Sequence, residues 1–229
     1  MNRHQRTYAT LFLSRRRFGA PGFTLIELIV VLGIVLIISA IVLFNDNRFN
    51  SSILLRSLAY EIGLSLRQAQ LYGVAVKEVT PGSGTFSAAY GVYFPGSIIG
   101  TPNASYSLFA DLNNNGQYDD GSAAIVENFS LRNNFSISNF CATEGNGVMQ
   151  CASACPSPLP TGAISCASNA LSWLAVTFKR PDPNAIILTS ALSSLPSVYS
   201  NAIITASSQA GVTRSVSISS VGQIIINSQ

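Results

Sequence analysis

The most informative stretch of the sequence is Gly22-Phe23-Thr24-Leu25-Ile26-Glu27-Leu28. An arginine-rich leader precedes this stretch, and a long apolar run begins within it. Across residues 23–44 the one charged side chain is Glu27. A helix of that length is about 33 Å long, against about 30 Å for the hydrocarbon core of a bilayer. The run therefore predicts a membrane-spanning helix, with the arginines of the leader on the cytoplasmic side.

Two plainer kinds of segment compete with this interpretation. A secretory signal peptide has an apolar core of about 7–15 residues and a small-x-small cleavage site, whereas this run is longer and no clear site of that kind follows Phe44. An ordinary membrane anchor explains the run but gives no reason for Glu27. A carboxylate inside a membrane helix costs about 2.5–3.5 kcal/mol at the centre and less near an end. A cut after Gly22 would offset that cost, because Glu27 would then lie near a free amine and the positive end of the helix dipole.

The stretch over residues 22–31 resembles the class III signal of type IV pilins and type II secretion pseudopilins. In that family a prepilin peptidase cuts after the glycine and N-methylates the new first residue. The resemblance implies that Gly22 ends a cleaved leader, that Phe23 becomes the methylated N-terminus and that Glu27 sets the register of subunits in a filament. It also implies a single-pass protein of the inner membrane with its head outside the cytoplasm, and other pilin-like subunits as partners of the helix.

An amphipathic segment follows the apolar run. Its apolar residues recur at three- and four-residue steps, which predicts one buried helical face, and they are Leu55, Leu58, Ala59, Ile62, Leu66 and Ala69. No proline lies between Pro21 and Pro81, so a single helix from about residue 24 to about residue 72 is allowed. The predicted organisation is a leader (1–22), a membrane-spanning half-helix (23–45), an amphipathic half-helix (46–73) and a globular head (74–229).

The head has the pattern of short strands separated by Ser, Gly, Asn and Pro, which predicts an antiparallel β-rich structure. The predicted strands cover residues 74–79, 89–94, 106–110, 124–129, 171–178, 185–189, 202–206, 212–218 and 223–226. The final part, residues 214–227, resembles the C-terminal hairpin of the GspH/FimT group of minor pseudopilins and pilins. The predicted fold class is α+β, with a long N-terminal helix packed on an antiparallel, pilin-like head.

One stretch of the head has the spacing of the first half of a calcium-binding loop. Its candidate ligands are Asp111, Asn113, Asn115 and Gln117, completed by Asp119 or Asp120. Gly116 at the sixth position permits the sharp turn, but Ser122 stands at the twelfth position, where such loops have a bidentate glutamate. The alternative is an Asn- and Gly-rich turn that binds no ion.

The four cysteines are clustered, at Cys141, Cys151, Cys155 and Cys166. A head exported from the cytoplasm favours two disulfides, and four cysteines allow three pairings, among which the sequence does not choose. Zinc is the alternative, but the spacing C-x9-C-x3-C-x10-C lacks the short paired knuckles of zinc sites and no histidine lies nearby. Two disulfides would pin a long loop that is poor in large apolar residues.

The distribution of charged residues and of the one histidine argues against an enzyme. All ten acidic residues and eight of the 13 basic residues follow Gly22, so the net charge of +3 becomes −2 without the leader. The one histidine, His4, also lies in the leader, and a chain without it has no histidine to act as a base or metal ligand. No enzymatic activity is therefore predicted.

The predicted function is that of a minor pseudopilin or pilin, assembled into a type II secretion pseudopilus or a type IV pilus. The alternative is an adhesive or DNA-binding minor pilin of a DNA-uptake pilus. Contacts with phosphate need positive charge, yet residues 223–229 contain no Lys or Arg, and Arg214, Lys179 and Arg180 are the nearest basic residues. Binding of nucleic acid is therefore the less favoured interpretation.

Overall fold

The computed structural model describes residues 22–80, 82–96, 103–118, 123–132, 134–168, 171–190 and 199–227. These residues form one helix, α1 (Leu25–Val74), and eleven strands. The chain divides into two compact units, Met1–Asn45 and Asp46–Gln229.

The first unit contains the apolar beginning of α1. Its segment Leu25–Leu43 is 19 residues long and is apolar enough to cross a membrane. The large apolar side chains along it are exposed, from Leu25 at 77% to Leu43 at 69%. The expected apolar N-terminal helix is thus present, as a candidate for a membrane span or a signal sequence.

The second unit contains two sheets. The strands in chain order are β1 (Ala89–Pro95), β2 (Ser105–Asp111), β3 (Ala123–Ser130), β4 (Ser136–Glu144), β5 (Val148–Cys151), β6 (Ser165–Ala167), β7 (Trp173–Phe178), β8 (Ala185–Thr189), β9 (Tyr199–Ser207), β10 (Thr213–Ser219) and β11 (Ile224–Asn227). Sheet 1 has the order β3-β2-β1-β7-β8, and sheet 2 has the order β11-β10-β9-β4-β5-β6. Neighbouring strands are antiparallel except for β5 and β6, which pair in parallel. The coarse prediction of an α+β fold with antiparallel sheets is therefore confirmed, and the pair of β5 and β6 is a parallel addition to it.

The second half of α1 packs its predicted apolar stripe into one core shared by both sheets. All six residues of the stripe are buried, and Leu55, Ile62 and Leu66 have no exposed surface. Each buried leucine or isoleucine stabilises the fold by about 1.5–3 kcal/mol. The same core receives side chains from both sheets, among them Val92, Phe94, Tyr106, Phe140, Ile204 and Ile218. The amphipathic pattern therefore predicted the right face of the helix.

Polar contacts and a close approach fix the end of α1 on the sheets. The Gln70 side chain donates hydrogen bonds to Pro183 O (2.9 Å) and Gly222 O (3.2 Å). A Cβ atom on Gly73 would lie 2.4 Å from the carbonyl oxygen of Phe178, a distance that van der Waals contact forbids. Glycine at this position lets the helix lie directly against the backbone at the end of β7.

The predicted strand over residues 74–79 is wrong. The helix continues to Val74, and Ala75 N still donates to Leu71 O at 2.9 Å. Val76 is 71% exposed, so an alternating apolar pattern here has no sheet to face. Instead, Lys77 folds its ammonium group over the Tyr72 ring, 3.2 Å from the ring centroid, a cation–π contact that holds the chain near the helix end.

The strand pattern of the sequence does not predict three of the observed strands, β4, β5 and β6. They lie mostly in the region for which the sequence predicts a long loop held by two disulfides. Ser138 of β4 is exposed, and Ser136 and Asn139 are half-buried. Ile137 and Phe140 are buried in the core. Pairing with β9 on one side and β5 on the other makes β4 an interior strand of sheet 2, which propensity alone does not predict.

Candidate functional site

The junction between Gly22 and Phe23 lies just before the helix, in a segment without regular structure. Phe23 is 81% exposed, and a Cβ atom added to Gly22 would meet nothing within 4 Å. The chain's own described packing therefore gives no reason for glycine at position 22. An exposed junction of this kind is accessible to a peptidase.

Thr24 is the N-cap of α1. Its Oγ1 accepts a hydrogen bond from Glu27 N at 3.3 Å, and its carbonyl oxygen accepts the first helical bond, from Leu28 N at 3.2 Å. Glu27 is thus the third residue of the helix, where a carboxylate interacts favourably with the positive helix end. Sequence reasoning missed this role, although the spacing Thr-x-x-Glu is the signature of a capping box.

The predicted calcium loop begins at the end of β2 and has an ordered interior. Asp111 is fully buried, and its Oδ2 accepts a hydrogen bond from Gly116 N at 2.7 Å. Asn113 Oδ1 accepts from Asn115 N (3.1 Å), and Asn115 Oδ1 accepts from Gln117 N (2.8 Å). These bonds wrap the backbone around the Asp111 side chain. Asp119 and Asp120, the other two predicted ligands, lie outside the described residues.

Two buried oxygen atoms of this loop accept no hydrogen bond from any described residue, Asp111 Oδ1 and Asn114 Oδ1. Asn114 has a φ of 57°, a left-handed conformation that asparagine tolerates better than most residues. An unsatisfied buried polar group costs about 1–3 kcal/mol, and a charged one costs more. From residue 78 to residue 131 the sequence has no Lys, Arg or His. The arrangement therefore suits a small cation.

The loop is held against the face of sheet 1 that is turned away from α1. Thr177 Oγ1 donates to Gly116 O at 2.7 Å, and a Cβ atom on Gly116 would lie 2.8 Å from Leu188 Cδ1. The Tyr118 ring stacks on Tyr93, with ring centroids 4.6 Å apart, and meets Phe109 edge-on at 5.4 Å. Glycine at position 116 is required twice, by this close approach and by its φ of 84°.

The four cysteines form two disulfides, Cys141–Cys151 and Cys155–Cys166. The first joins paired residues of β4 and β5, and the second ties the following loop to β6. Cys151 Sγ lies 3.6 Å from Cys166 Sγ, so the two bridges lie side by side. The region is a pair of strands with a tethered loop and not a single long loop.

Two of the three basic residues nearest to the C-terminal hairpin make hydrogen bonds within the head, and the third, Lys179, is exposed. Arg214 lies on β10, and its guanidinium donates to Ser52 Oγ of α1 at 3.4 Å and to Thr213 O at 2.9 Å. The Arg180 guanidinium donates to Phe86 O.

Comparisons of the chain with protein-family models, with curated proteins and with solved structures find no match in any of the three. The case for a function rests on the chain's own residues.

Proposed function

We propose that the chain is a minor pseudopilin or pilin subunit with a pilin-like fold, cut and N-methylated by a prepilin peptidase and assembled into a type II secretion pseudopilus or a type IV pilus. The observation that carries the proposal is the N-terminal arrangement. An exposed Gly22–Phe23 junction directly precedes the capped start of an apolar helix, and that helix places its single early charge, Glu27, in the first turn. A plain membrane anchor needs neither the glycine nor the carboxylate.

Recognition by a peptidase accounts for Gly22. No described side chain or backbone atom of the chain excludes a larger residue at this position. The need for a small residue would then arise in the active site of the enzyme that cuts there. Cleavage at this bond leaves Phe23 as the first residue, one helical turn before Glu27, so that its amine and the carboxylate of the same or a neighbouring subunit can pair.

A second face of α1 is suited to contact with other helices. Four large apolar residues on the second half of the helix are exposed, at seven- and four-residue steps, and they are Ile53, Tyr60, Leu64 and Leu71. This spacing places them along one side of a helix, with a period typical of helix–helix packing. The buried stripe of the same segment already faces the sheets, so the exposed stripe is left for another subunit.

The assembly role of Glu27 is tested by Glu27→Gln, with Glu61→Gln as the matched control. Glu61 is an exposed glutamate on the second half of the same helix, so its substitution changes the net charge equally. In membranes that contain a prepilin peptidase, we expect both variants to be cut at Phe23. Cross-linking between subunits should fall about tenfold for Glu27→Gln, which corresponds to about 1.4 kcal/mol, and should be unchanged for Glu61→Gln. Normal cross-linking of Glu27→Gln would contradict the proposed role.

The role of the exposed stripe is tested by Leu64→Ala, with Leu66→Ala as the control. Leu64 is 68% exposed, whereas Leu66 has no exposed surface. We expect Leu64→Ala to reduce cross-linking between subunits while it changes the free energy of unfolding by less than about 0.5 kcal/mol. Leu66→Ala should instead destabilise the head by about 2–5 kcal/mol. The reverse pattern would show that the stripe is not a contact surface.

DNA binding is the less favoured function for this head. The guanidinium groups of Arg214 and Arg180 are used in contacts within the chain, and the net charge after Gly22 is −2. A gel shift with double-stranded DNA over a range of salt concentrations separates the two functions. Retardation that weakens steeply with salt would favour the DNA-binding alternative.

A further inference from the structure

We propose that the loop following β2 binds one Ca²⁺ ion through Asp111 Oδ1 and Asn114 Oδ1, and that the ion fixes the loop on the outer face of sheet 1. The spacing of the sequence suggested alternate residues as ligands. The structure adds two oxygen atoms that need a partner, one of them at a position outside that spacing. The proposal is independent of the assembly function, because no residue of the first half of α1 takes part.

Asp111 has one carboxylate oxygen that needs a partner. Its side chain is fully buried, and one carboxylate oxygen accepts a hydrogen bond from Gly116 N. The other oxygen has no donor within the part of the chain that the structure describes. The bond to Gly116 N fixes the carboxylate, so that Oδ1 cannot turn outward to water without breaking it. A buried carboxylate held in this way calls for a positive charge close to Oδ1.

The oxygen atoms near Asp111 Oδ1 come from asparagine side chains. Asn114 Oδ1 is buried three residues away in the same turn, and no donor for it lies among the described residues. The neighbouring Asn113 Oδ1 and Asn115 Oδ1 each accept a backbone N–H. A set of carboxylate and amide oxygens without nitrogen or sulfur suits a hard cation. Calcium tolerates such irregular sets with six to eight ligands, whereas magnesium demands near-octahedral geometry.

An ion at Asp111 would stabilise the contacts of the loop with sheet 1. The loop covers sheet 1 through Gly116, bonded to Thr177, and through Tyr118, stacked on Tyr93. Neutralising Asp111 at the start of the loop stabilises the turn that delivers both contacts. Bound calcium should therefore slow hydrogen exchange at the amide of Gly116, whose partner is Asp111 Oδ2.

The test uses the full chain in detergent, with Tb³⁺ as a luminescent substitute for Ca²⁺. Tyr118 is part of the loop and can sensitise the ion. We expect a saturable signal that Ca²⁺ displaces and Mg²⁺ displaces poorly, with calcium affinity of about 10⁻⁴–10⁻³ M or tighter, as in extracellular modules. Ca²⁺ should also raise the unfolding temperature and protect the Gly116 amide.

Two variants remove one oxygen or charge each. Asp111→Asn retains an acceptor for Gly116 N, and Asn114→Gly retains access to the left-handed backbone. We expect each to weaken calcium binding at least tenfold and to abolish most of the thermal shift, while unfolding without calcium stays cooperative. Asp182→Asn, which removes an exposed carboxylate elsewhere in the head, should bind as the wild type does. Equal binding by wild type and Asp111→Asn, or no saturable binding up to about 10 mM Ca²⁺, would overturn the proposal. Equal displacement by Mg²⁺ would overturn the assignment to calcium.

Discussion

Ser65 of α1 and Tyr106 of β2 meet through their hydroxyl groups, 3.2 Å apart, in the interior of the second unit. Ser65 Oγ donates to Glu61 O at 3.0 Å, which leaves the Tyr106 hydroxyl to donate to Ser65. The Tyr106 ring stacks on Phe129, with centroids 4.7 Å apart, so the hydroxyl is held in place. A single polar contact thus ties the helix to sheet 1 within a largely apolar core.

Removing the two hydroxyls should have unequal effects. Ser65→Ala leaves the buried Tyr106 hydroxyl without this partner and should cost about 1–3 kcal/mol, whereas Tyr106→Phe leaves Ser65 bonded to Glu61 and should cost about 0.5–1.5 kcal/mol. The double variant should cost less than the sum. Urea unfolding followed through Trp173, the one tryptophan, measures all three. Strictly additive costs would argue against the hydrogen bond.

High pH should destabilise the head through the same tyrosine. Burial, opposed in part by the Ser65 hydrogen bond, raises the pKa of Tyr106 well above its ordinary value of 10.0. The folded chain therefore keeps a proton that the unfolded chain releases, and stability falls with rising pH once the unfolded tyrosine ionises, from about pH 10 upward. Unfolding free energy measured between pH 8 and about pH 11 checks this. Tyr106→Phe should lose part of the slope, and an unchanged slope would contradict the assignment.

Two glycines on the buried side of α1 should respond differently to alanine. At Gly73 a Cβ atom meets the Phe178 backbone, while at Gly63 the nearest atom is the flexible Ile226 Cδ1, at 3.2 Å. Alanine gains about 1 kcal/mol of helix propensity at either position. We expect Gly63→Ala to be near neutral and Gly73→Ala to destabilise by roughly 3 kcal/mol. Thermal unfolding of both variants provides the comparison, and equal midpoints would mean that the helix end does not lie against β7.

The two disulfides should open at different rates. Cys141 and Cys151 are buried between β4 and β5, while Cys155 and Cys166 are partly exposed. Mild reduction with timed alkylation and mass spectrometry should label Cys155 and Cys166 first, because access limits exchange. A variant with serine at both positions should keep the Cys141–Cys151 bridge and a folded head. Earlier labelling of Cys141 would contradict the observed burial.

The sequence predicted best what depends on local periodicity. The stripe from Leu55 to Ala69 has a 3.6-residue period, and all its members are buried. The prediction of strand β8 matches its observed bounds because a short apolar run rich in isoleucine, with breakers before it, marks it. The strand at residues 74–79 failed because alternation does not reveal whether a partner strand exists.

Long-range pairing explains what the sequence could not supply. The register that sets Cys141 opposite Cys151 selects one pairing out of three, and β4 owes its strand conformation to β9 and β5. The loop after β2 shows the same limit on a smaller scale. Its motif named Asp111, but the buried oxygen of Asn114 depends on a left-handed backbone that the motif does not encode.

The most direct test of the central claim is the mass of the N-terminal peptide of the protein, purified from membranes of cells that contain a prepilin peptidase. The account predicts that residues 1–22 are absent and that the chain begins at Phe23 with one methyl group on its amine. The variant Gly22→Ala, measured beside it, should be cut slowly or not at all. A chain that retains its leader, or that begins at any residue other than Phe23, would contradict the account.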